Sequence, residues 1–172
     1  MPDAPHDSAY TAALWEHPTL CVALFGVQFL SEEGRQLYER SGIEHEMFDA
    51  LEQARAVGLL LNRPLMSPEG PLLMQYWRTY DDLDRWARRQ PHSRWWRWLM
   101  EHTGQGVGFY HEIYQAKTAE AIYEQGTRPV GPAVFSSLKR TKGGANAARA
   151  ARPRLGVAVD GALTDQQPLA PL

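Results

Sequence analysis

The stretch "LLLNRPLMSPEGPLLMQYW", residues 59–77, decides the fold. It contains two apolar runs on either side of the turn-forming residues in "SPEGP". Apolar runs bounded by proline and glycine are typical of two strands joined by a tight turn. We therefore predict strands over Leu59–Met66 and Leu72–Tyr80, which places a strand–strand unit at the centre of the chain.

On the N-terminal side of this unit, the pattern predicts one helical region preceded by one strand. The segment "IEHEMFDALEQARAVG" has apolar residues at three-to-four spacing, and Gly58 is a natural stop for that helix. In the preceding "SEEGRQLYERSG", Ser31 is a candidate N-cap and Gly42 a candidate break. Leu20–Phe29 is too continuously apolar for a solvated face, so it predicts a buried strand.

On the C-terminal side, helical sequence is followed by a further strand. The segment "YDDLDRWARRQPHSRWWRWLMEHTG" predicts a helix up to Gln90 and a second helix after Pro91. Val107–Ala116 then predicts the last strand, and "TAEAIYEQG" predicts a short helix. The resulting order is βαββαβ, so we predict an α+β, ferredoxin-like fold with an antiparallel sheet and helices on one face.

The other face of that sheet is apolar on several strands, and an exposed patch of this kind usually has a partner. Two such sheets facing each other would form a dimeric α+β barrel, so we predict a homodimer. We assign residues 19–135 to this domain and residues 1–18 to a flexible N-terminal segment. The glycine-, alanine- and arginine-rich residues 136–172 are predicted to be a basic, disordered tail.

Charge and composition exclude several classes of function. The 172 residues carry a formal net charge of −2, but residues 1–138 alone carry −6, which disfavours nucleic-acid binding. The single cysteine excludes an internal disulfide framework. The longest apolar stretch, Thr19–Leu30, is too short to span a bilayer, which needs about twenty residues. With no secretion signal, we expect a soluble cytoplasmic protein that binds neither nucleic acid nor membrane.

The predicted last strand, in "GVGFYHEIYQA", carries the first group of candidate site residues. His111 is either a structural histidine or a group that moves a proton or binds iron. Its neighbours Tyr110, Glu112 and Tyr114 are candidates for substrate binding. Adjacent strand residues point to opposite faces, so His111 and Glu112 cannot form a direct dyad. The sequence does not settle which face holds the pocket.

The predicted third strand carries the second group. Trp77 is either a core residue or the wall of a pocket between sheet and helices. Tyr76 and Arg78 lie on the opposite face by strand alternation, where Arg78 could stabilise an anion if that face met the pocket. The helical "RWWRW" is better explained as a buried stripe than as a surface for stacking nucleic-acid bases. No histidine pair has metal-site spacing, so we predict no metal.

Five pieces of the sequence carry a resemblance to a known family, and they cover about residues 20–135. They are "VALFGVQFL", "ALEQARAVGLLL", "MQYWRTYDDLDRWAR", "GFYHEIYQA" and "AEAIYEQGTRPVG", in that order. The chain resembles a group of small bacterial and fungal monooxygenase-like proteins, largely of unknown function, which includes a fungal monooxygenase of fumagillin biosynthesis. This resemblance implies the dimeric α+β barrel superfamily.

The superfamily implies three kinds of activity. Cofactor-independent monooxygenases often carry a strand tryptophan, which Trp77 matches. Haem-degrading enzymes and haem peroxidases bind haem through a histidine, and aldoxime dehydratases also use haem. The haem-degrading relatives take their iron ligand from the helix after the tryptophan strand, where this chain offers only His92.

The leading hypothesis is a monooxygenase-like enzyme that oxidises a small, largely apolar substrate in a pocket between sheet and helices. The catalytic residues would be His111 as the base with Trp77 and Arg78, and no cofactor would be needed. Tyr76, Tyr110, Glu112 and Tyr114 would bind the substrate. The alternatives are a haem enzyme, aldoxime-dehydratase-like or peroxidase-like, or a non-catalytic small-molecule binding module.

Overall fold

The computed structural model describes residues 8–142, which form two antiparallel sheets and four α-helices. In chain order the elements are β1 (Ser8–Ala12), β2 (Cys21–Phe29), α1 (Glu32–Ser41), α2 (Ile43–Ala54), β3 (Leu59–Ser67), β4 (Gly70–Trp77), α3 (Tyr80–Ala87), α4 (His92–Glu101), β5 (Val107–Gln115), β6 (Ile122–Glu124) and β7 (Leu138–Lys142). Short 3₁₀ turns cover Leu14–Glu16, Arg55–Val57 and Gly131–Val134. No helix in residues 8–142 has the length and apolar character needed to cross a bilayer.

The larger sheet has the strand order β3-β4-β2-β5, and all its neighbours are antiparallel. This order confirms the predicted ferredoxin-like βαββαβ fold. The β3–β4 hairpin turns at Pro68 and Glu69, inside the predicted "SPEGP" turn. The central strand β2 pairs with both β4 and β5, so Phe25 lies between Leu73 and His111.

Helix boundaries follow the predicted chemistry around α1 and α2, whereas α3 begins at Tyr80, inside the strand predicted over Leu72–Tyr80, and ends at Ala87, before the predicted Gln90. The Ser31 side chain accepts a hydrogen bond from the Gly34 backbone N–H at 3.1 Å, which confirms Ser31 as the N-cap of α1. Gly42 has a left-handed φ of +69° and separates α1 from α2. The Thr79 hydroxyl caps α3 by accepting from the backbone N–H of Asp82 at 2.9 Å.

The main core lies between the four-stranded sheet and the helices. Its largest fully buried side chains are Trp77, Leu51 and Cys21, and burial raises the pKa of the Cys21 thiol. Helix α1 approaches the start of β5 so closely that a Cβ on Gly34 would overlap the carbonyl oxygen of Gly106. The glycine therefore sets the distance between α1 and the sheet, and so helps to shape the space beneath the helices.

The smaller sheet, with the order β6-β1-β7, corrects two predictions. Residues 8–12 and 138–142 were assigned to flexible segments, yet they pair with each other as β1 and β7. The helix predicted in "TAEAIYEQG" is wrong, because residues 122–124 form β6 against β1. These short strands are held by partners far away in the chain, which a local pattern cannot reveal. Residues 1–7 and 143–172 of these two segments lie outside the described residues.

The outer face of the larger sheet, opposite the helices, is covered in part by the chain itself. Leu14, Leu20, Leu61 and Tyr76 form a second buried cluster there, and the ring of Phe135 lies 5.4 Å from that of Tyr76. The β5 side of this face is more open. The predicted homodimer interface therefore has less of this face available than the βαββαβ pattern alone suggests.

Candidate active site

A cavity lies between the sheet and the helices. Its walls are mainly aromatic and aliphatic, and they include Phe25, Tyr38, Met47, Trp86, Trp95 and Leu99. The polar side chains among the lining residues are Gln75, His92 and His111, together with the hydroxyl of Tyr38. The atom-free space is about 550 Å³ including the open mouth, but the centre of a water molecule can reach only about 30 Å³ of it. Its enclosed part is therefore narrow, with room for about two waters, and the rest of the space opens toward the mouth.

His92 begins α4 and is held in one orientation. Its Nδ1 lies 2.8 Å from the carbonyl oxygen of Ala87, and a carbonyl can only accept, so Nδ1 carries the hydrogen. In the neutral ring, Nε2 then has the free lone pair. The ring lies 5.0 Å from that of Trp86 and 5.8 Å from that of Trp95. Burial is the main cause that lowers the pKa of His92, which keeps this imidazole uncharged at neutral pH.

His111 lies on β5 with its side chain toward the helices, where it lines the same cavity. It pairs with Phe25 across the sheet, and the two rings meet edge to face at 6.2 Å. The side chain is exposed at the mouth, yet partial burial lowers its pKa as well. A charge on His111 would lower the pKa of His92 further. The cavity therefore has two uncharged imidazoles, and a charge on His111 would affect the pKa of His92.

Trp77 lies in the core and does not line the cavity. It is fully buried, with its ring 5.2 Å from that of Trp86. Its indole N–H donates to the Oε1 atom of Gln75 at 3.0 Å. Of the two roles left open for Trp77, the structure thus places it in the core. Its influence on the cavity passes through Gln75, whose amide it orients.

Arg78, the predicted anion stabiliser, lies away from the cavity. Its side chain is exposed, and its Nε donates to Oδ2 of Asp82 at 2.9 Å. Asp82 is only 6% exposed, and Arg78 is the main cause that holds the pKa of that carboxyl below its usual range. The guanidinium is thus engaged at the start of α3. Tyr76, also predicted at the site, lies in the outer-face cluster.

The predicted substrate-binding residues of β5 lie on the sheet face opposite His111. Tyr110 packs over Gly26 so closely that a Cβ there would overlap its ring. The Tyr114 hydroxyl donates to Oε2 of Glu112 at 2.7 Å, and both side chains are exposed. The sheet therefore separates these three residues from the cavity. The predicted set combined both faces of the strand, because a period of two divides residues between faces without saying which one is concave.

The structure adds Gln75, Trp86 and Trp95 to the site and brings His92 into it. The sequence placed the "RWWRW" tryptophans in a buried stripe and considered His92 only as an iron ligand. The sequence did offer one indication that His92 belongs to the site: it precedes a tryptophan-rich helical segment and follows Trp86 by six residues. Within residues 8–142, no group of three or more His, Cys, Asp or Glu side chains could hold a metal ion.

A four-stranded ferredoxin-like sheet, helices on one face and an aromatic cavity between the two layers define a small α+β protein with a candidate small-molecule site. The sequence model of the monooxygenase af470-like family matches residues 24–131, which is more than half of the chain. The chain therefore belongs to the monooxygenase af470-like family, in agreement with the resemblance found in its sequence.

Solved structures support the same fold. An aldoxime dehydratase crystallised with butyraldoxime is 20% identical, with a TM-score of 0.53 over 79% of this chain and 39% of its own. A second aldoxime dehydratase structure is 21% identical, with a TM-score of 0.52 over 80% of this chain and 40% of its own. This chain thus spans about 40% of those enzymes, and the low identity establishes the fold alone.

A third solved structure is SnoaB, a cofactor-independent oxygenase from Streptomyces nogalater. It is 8% identical, with a TM-score of 0.42 over 59% of this chain and 96% of its own. No curated protein sequence matches this chain significantly.

Proposed function

We propose that this protein is an oxygenase that oxidises a small, largely apolar molecule in the cavity between sheet and helices. One observation carries the proposal: two uncharged imidazoles, His92 and His111, face a single aromatic cavity. Aromatic and aliphatic walls favour an apolar ligand, and a neutral imidazole can remove a proton from it. Membership of a monooxygenase-like family supports oxygen as the second reactant.

The base in this proposal is His92. Its hydrogen bond to the Ala87 carbonyl fixes the ring, so that the unprotonated Nε2 is the only ring nitrogen able to accept a proton. The sequence pointed to His111, which has no such anchor and lies at the mouth. We therefore assign proton removal to His92. A proton on His111 would disfavour a second proton on His92, in addition to burial, which is the main cause that lowers the pKa of His92.

The reaction balances without an external reductant when the substrate has a methylene group next to a carbonyl. His92 takes one methylene proton, and the resulting carbanion gives an electron to O₂. The two radicals combine to form a carbon–oxygen bond, and a proton completes a hydroperoxide. Loss of water, with the second methylene hydrogen, leaves a new carbonyl. All electrons that O₂ accepts come from the substrate, so the products are a 1,2-dicarbonyl compound and water.

Labelled oxygen tests this proposal. The protein is incubated with small aryl ketones such as phenylacetone under ¹⁸O₂, and the products are analysed by mass spectrometry. We expect one labelled atom in the new carbonyl and the other in water. His92→Gln should reduce the rate by about 10²- to 10⁴-fold, the usual contribution of a positioned base. Tight binding with no labelled product for any ketone would instead identify a non-catalytic binding module.

One observation favours the haem alternative. An imidazole whose Nδ1–H is held by a carbonyl, with a free Nε2, is also the usual arrangement of a metal ligand. The space of about 550 Å³ that His92 lines is narrow and partly open at the mouth, so a single aromatic ring can enter it, whereas a porphyrin with four pyrrole rings does not fit between its walls. The residues as arranged do not fit haem, so no step of the proposed reaction passes through it.

We also propose a homodimer formed through the uncovered part of the outer sheet face. The support is the partly exposed surface on the β5 side, where Tyr114 is 52% exposed and Tyr110 is partly exposed. The small sheet and Phe135 already cover the β3–β4 side. An interface on the β5 side would leave the cavity, which lies on the opposite face, open to its ligand.

A further inference from the structure

We infer that the cavity selects an uncharged ligand with an oxygen acceptor, a phenol or the carbonyl of an enolisable ketone, held by Trp95 and Gln75. This inference rests on the proposed function and assigns two hydrogen-bond donors that the proton step does not use. Both donors belong to residues that line the cavity and are more than nine-tenths buried.

The first donor is the indole N–H of Trp95. The side chain is 3% exposed, and its Nε1 has no hydrogen-bond partner within the described part of the chain. A buried donor without a partner is unfavourable and uncommon in folded proteins, so it calls for an explanation. Trp95 lines the cavity beside His92, with 5.8 Å between the ring centres. A ligand oxygen in the cavity would supply the missing acceptor next to the proposed base.

The second donor is the side-chain amide of Gln75. The Trp77 indole can only donate, so the Gln75 atom that it contacts at 3.0 Å must be the carbonyl oxygen. That bond therefore fixes the positions of the oxygen and the NH₂ group of the Gln75 amide. The NH₂ end of Gln75, which forms no further hydrogen bond within residues 8–142, is left as a donor at the cavity. Trp77 is thus a positioning residue for this donor.

The charges of the lining residues narrow the ligand class. No Lys, Arg, Asp or Glu is among the cavity-lining residues of the described chain, so a carboxylate or ammonium ligand would lack a counter-charge. His92 offers an acceptor, while Trp95 and Gln75 offer donors. A phenol hydroxyl, or a carbonyl beside an acidic C–H bond, matches this set. A hydrocarbon would leave all three polar groups unpaired, which a site built for hydrogen bonding rejects.

The probes are phenol and toluene, which have the same ring and differ only in a hydroxyl or a methyl group. The indole N–H signals of the six tryptophans are followed in ¹H–¹⁵N spectra during titration of the full chain, and Trp95→Phe identifies the Trp95 signal. We expect phenol to bind more tightly than toluene and to shift the Trp95 signal downfield. Equal affinities, with no downfield shift for phenol, would overturn the inference.

Variants test each donor separately. Trp95→Phe and the near-isosteric Gln75→Met should each reduce phenol affinity about 3- to 10-fold more than toluene affinity, since each removes one hydrogen bond to the ligand oxygen. Trp98→Phe is the matched control, because Trp98 lies on the same helix and does not line the cavity. If Trp95→Phe does not fold, the phenol affinity of Gln75→Met and the wild-type spectra still test whether the cavity donates hydrogen bonds to the ligand oxygen. Equal losses for phenol and toluene would refute the assignment.

The outcome is separable from that of the proposed function, because these experiments measure binding without turnover. A phenol preference that both variants reduce, in a protein that never forms labelled product, would support the inference and refute the oxygenase. Labelled product from a protein with no phenol preference would support the oxygenase and refute the inference.

Discussion

Replacing Trp77 by phenylalanine tests whether this residue is a buried support for the site or a wall of the cavity. Trp77 is fully buried, contacts Trp86 at 5.2 Å between ring centres and donates to Gln75. The substitution leaves the Gln75 oxygen without its donor, at a cost of about 1–3 kcal/mol. Loss of ring volume adds about 1–2 kcal/mol, since complete truncation of a core Trp to Ala costs about 3–5 kcal/mol.

We therefore expect Trp77→Phe to lower the free energy of unfolding by about 2–5 kcal/mol. At about 3 °C per kcal/mol for a chain of this length, Tm should fall by about 6–15 °C. Urea denaturation and thermal unfolding measure these two quantities. Trp98→Phe, at a half-buried position on α4, should cost clearly less. The phenol preference should also fall, because the Gln75 amide is no longer held.

A loss of stability below about 1 kcal/mol, with a direct change in toluene affinity, would refute this reasoning. That pattern belongs to a cavity wall, where the ring contacts the ligand and contributes little to the core. It would restore the pocket role that the sequence left open for Trp77.

Three further predictions concern pH, packing and assembly. The folded-state pKa values of His92 and His111 are lowered, so the unfolded chain binds more protons than the folded chain below about pH 6.5. The free energy of unfolding should therefore fall as the pH is lowered from about 7 to 5. Denaturant titrations should show a weaker pH dependence in His92→Gln, and the same pH dependence in both proteins would contradict this prediction. Gly34→Ala should lower Tm strongly, because its Cβ would overlap a backbone carbonyl. Gly108→Ala should be tolerated, because its Cβ would meet only the Leu30 side chain, at 3.4 Å. Equal changes in Tm for the two variants would refute the close contact between α1 and the start of β5. Sedimentation at micromolar concentration should show a dimer that Tyr114→Arg weakens, and a strict monomer would rule out the proposed interface.

The sequence predicts the larger sheet well because each of its strands can be recognised from a short run of consecutive residues. Residues 59–77 carry two apolar runs and a turn, and Ser31 and Gly42 mark helix ends through their own chemistry. The small sheet was missed because strands β1 and β7 come from opposite ends of the described chain. Neither strand has a pattern of its own that requires the other, so composition indicated flexible segments there.

The candidate site could be predicted only in part. His111, which the sequence singled out, lines the cavity, and the alternation of β5 placed it on one face with Phe109, apart from Tyr110. Which of these faces meets the helices depends on how the layers pack, and a single strand does not encode that. The role of His92 depends on its hydrogen bond to Ala87 and on the packing of α3 against α4, which no residue spacing indicated.

His92 is proposed to remove a proton from a ligand in the cavity, and proton exchange without oxygen measures this step separately from oxidation. Phenylacetone and 2-tetralone are incubated with the protein in D₂O under anaerobic conditions, and NMR follows deuterium entering the methylene group that lies between ring and carbonyl. We predict exchange well above the buffer rate, reduced by about 10²- to 10⁴-fold in His92→Gln and much less in His111→Gln. Exchange that is the same in wild type and His92→Gln, or that stays at the buffer rate for both ketones, would contradict the account.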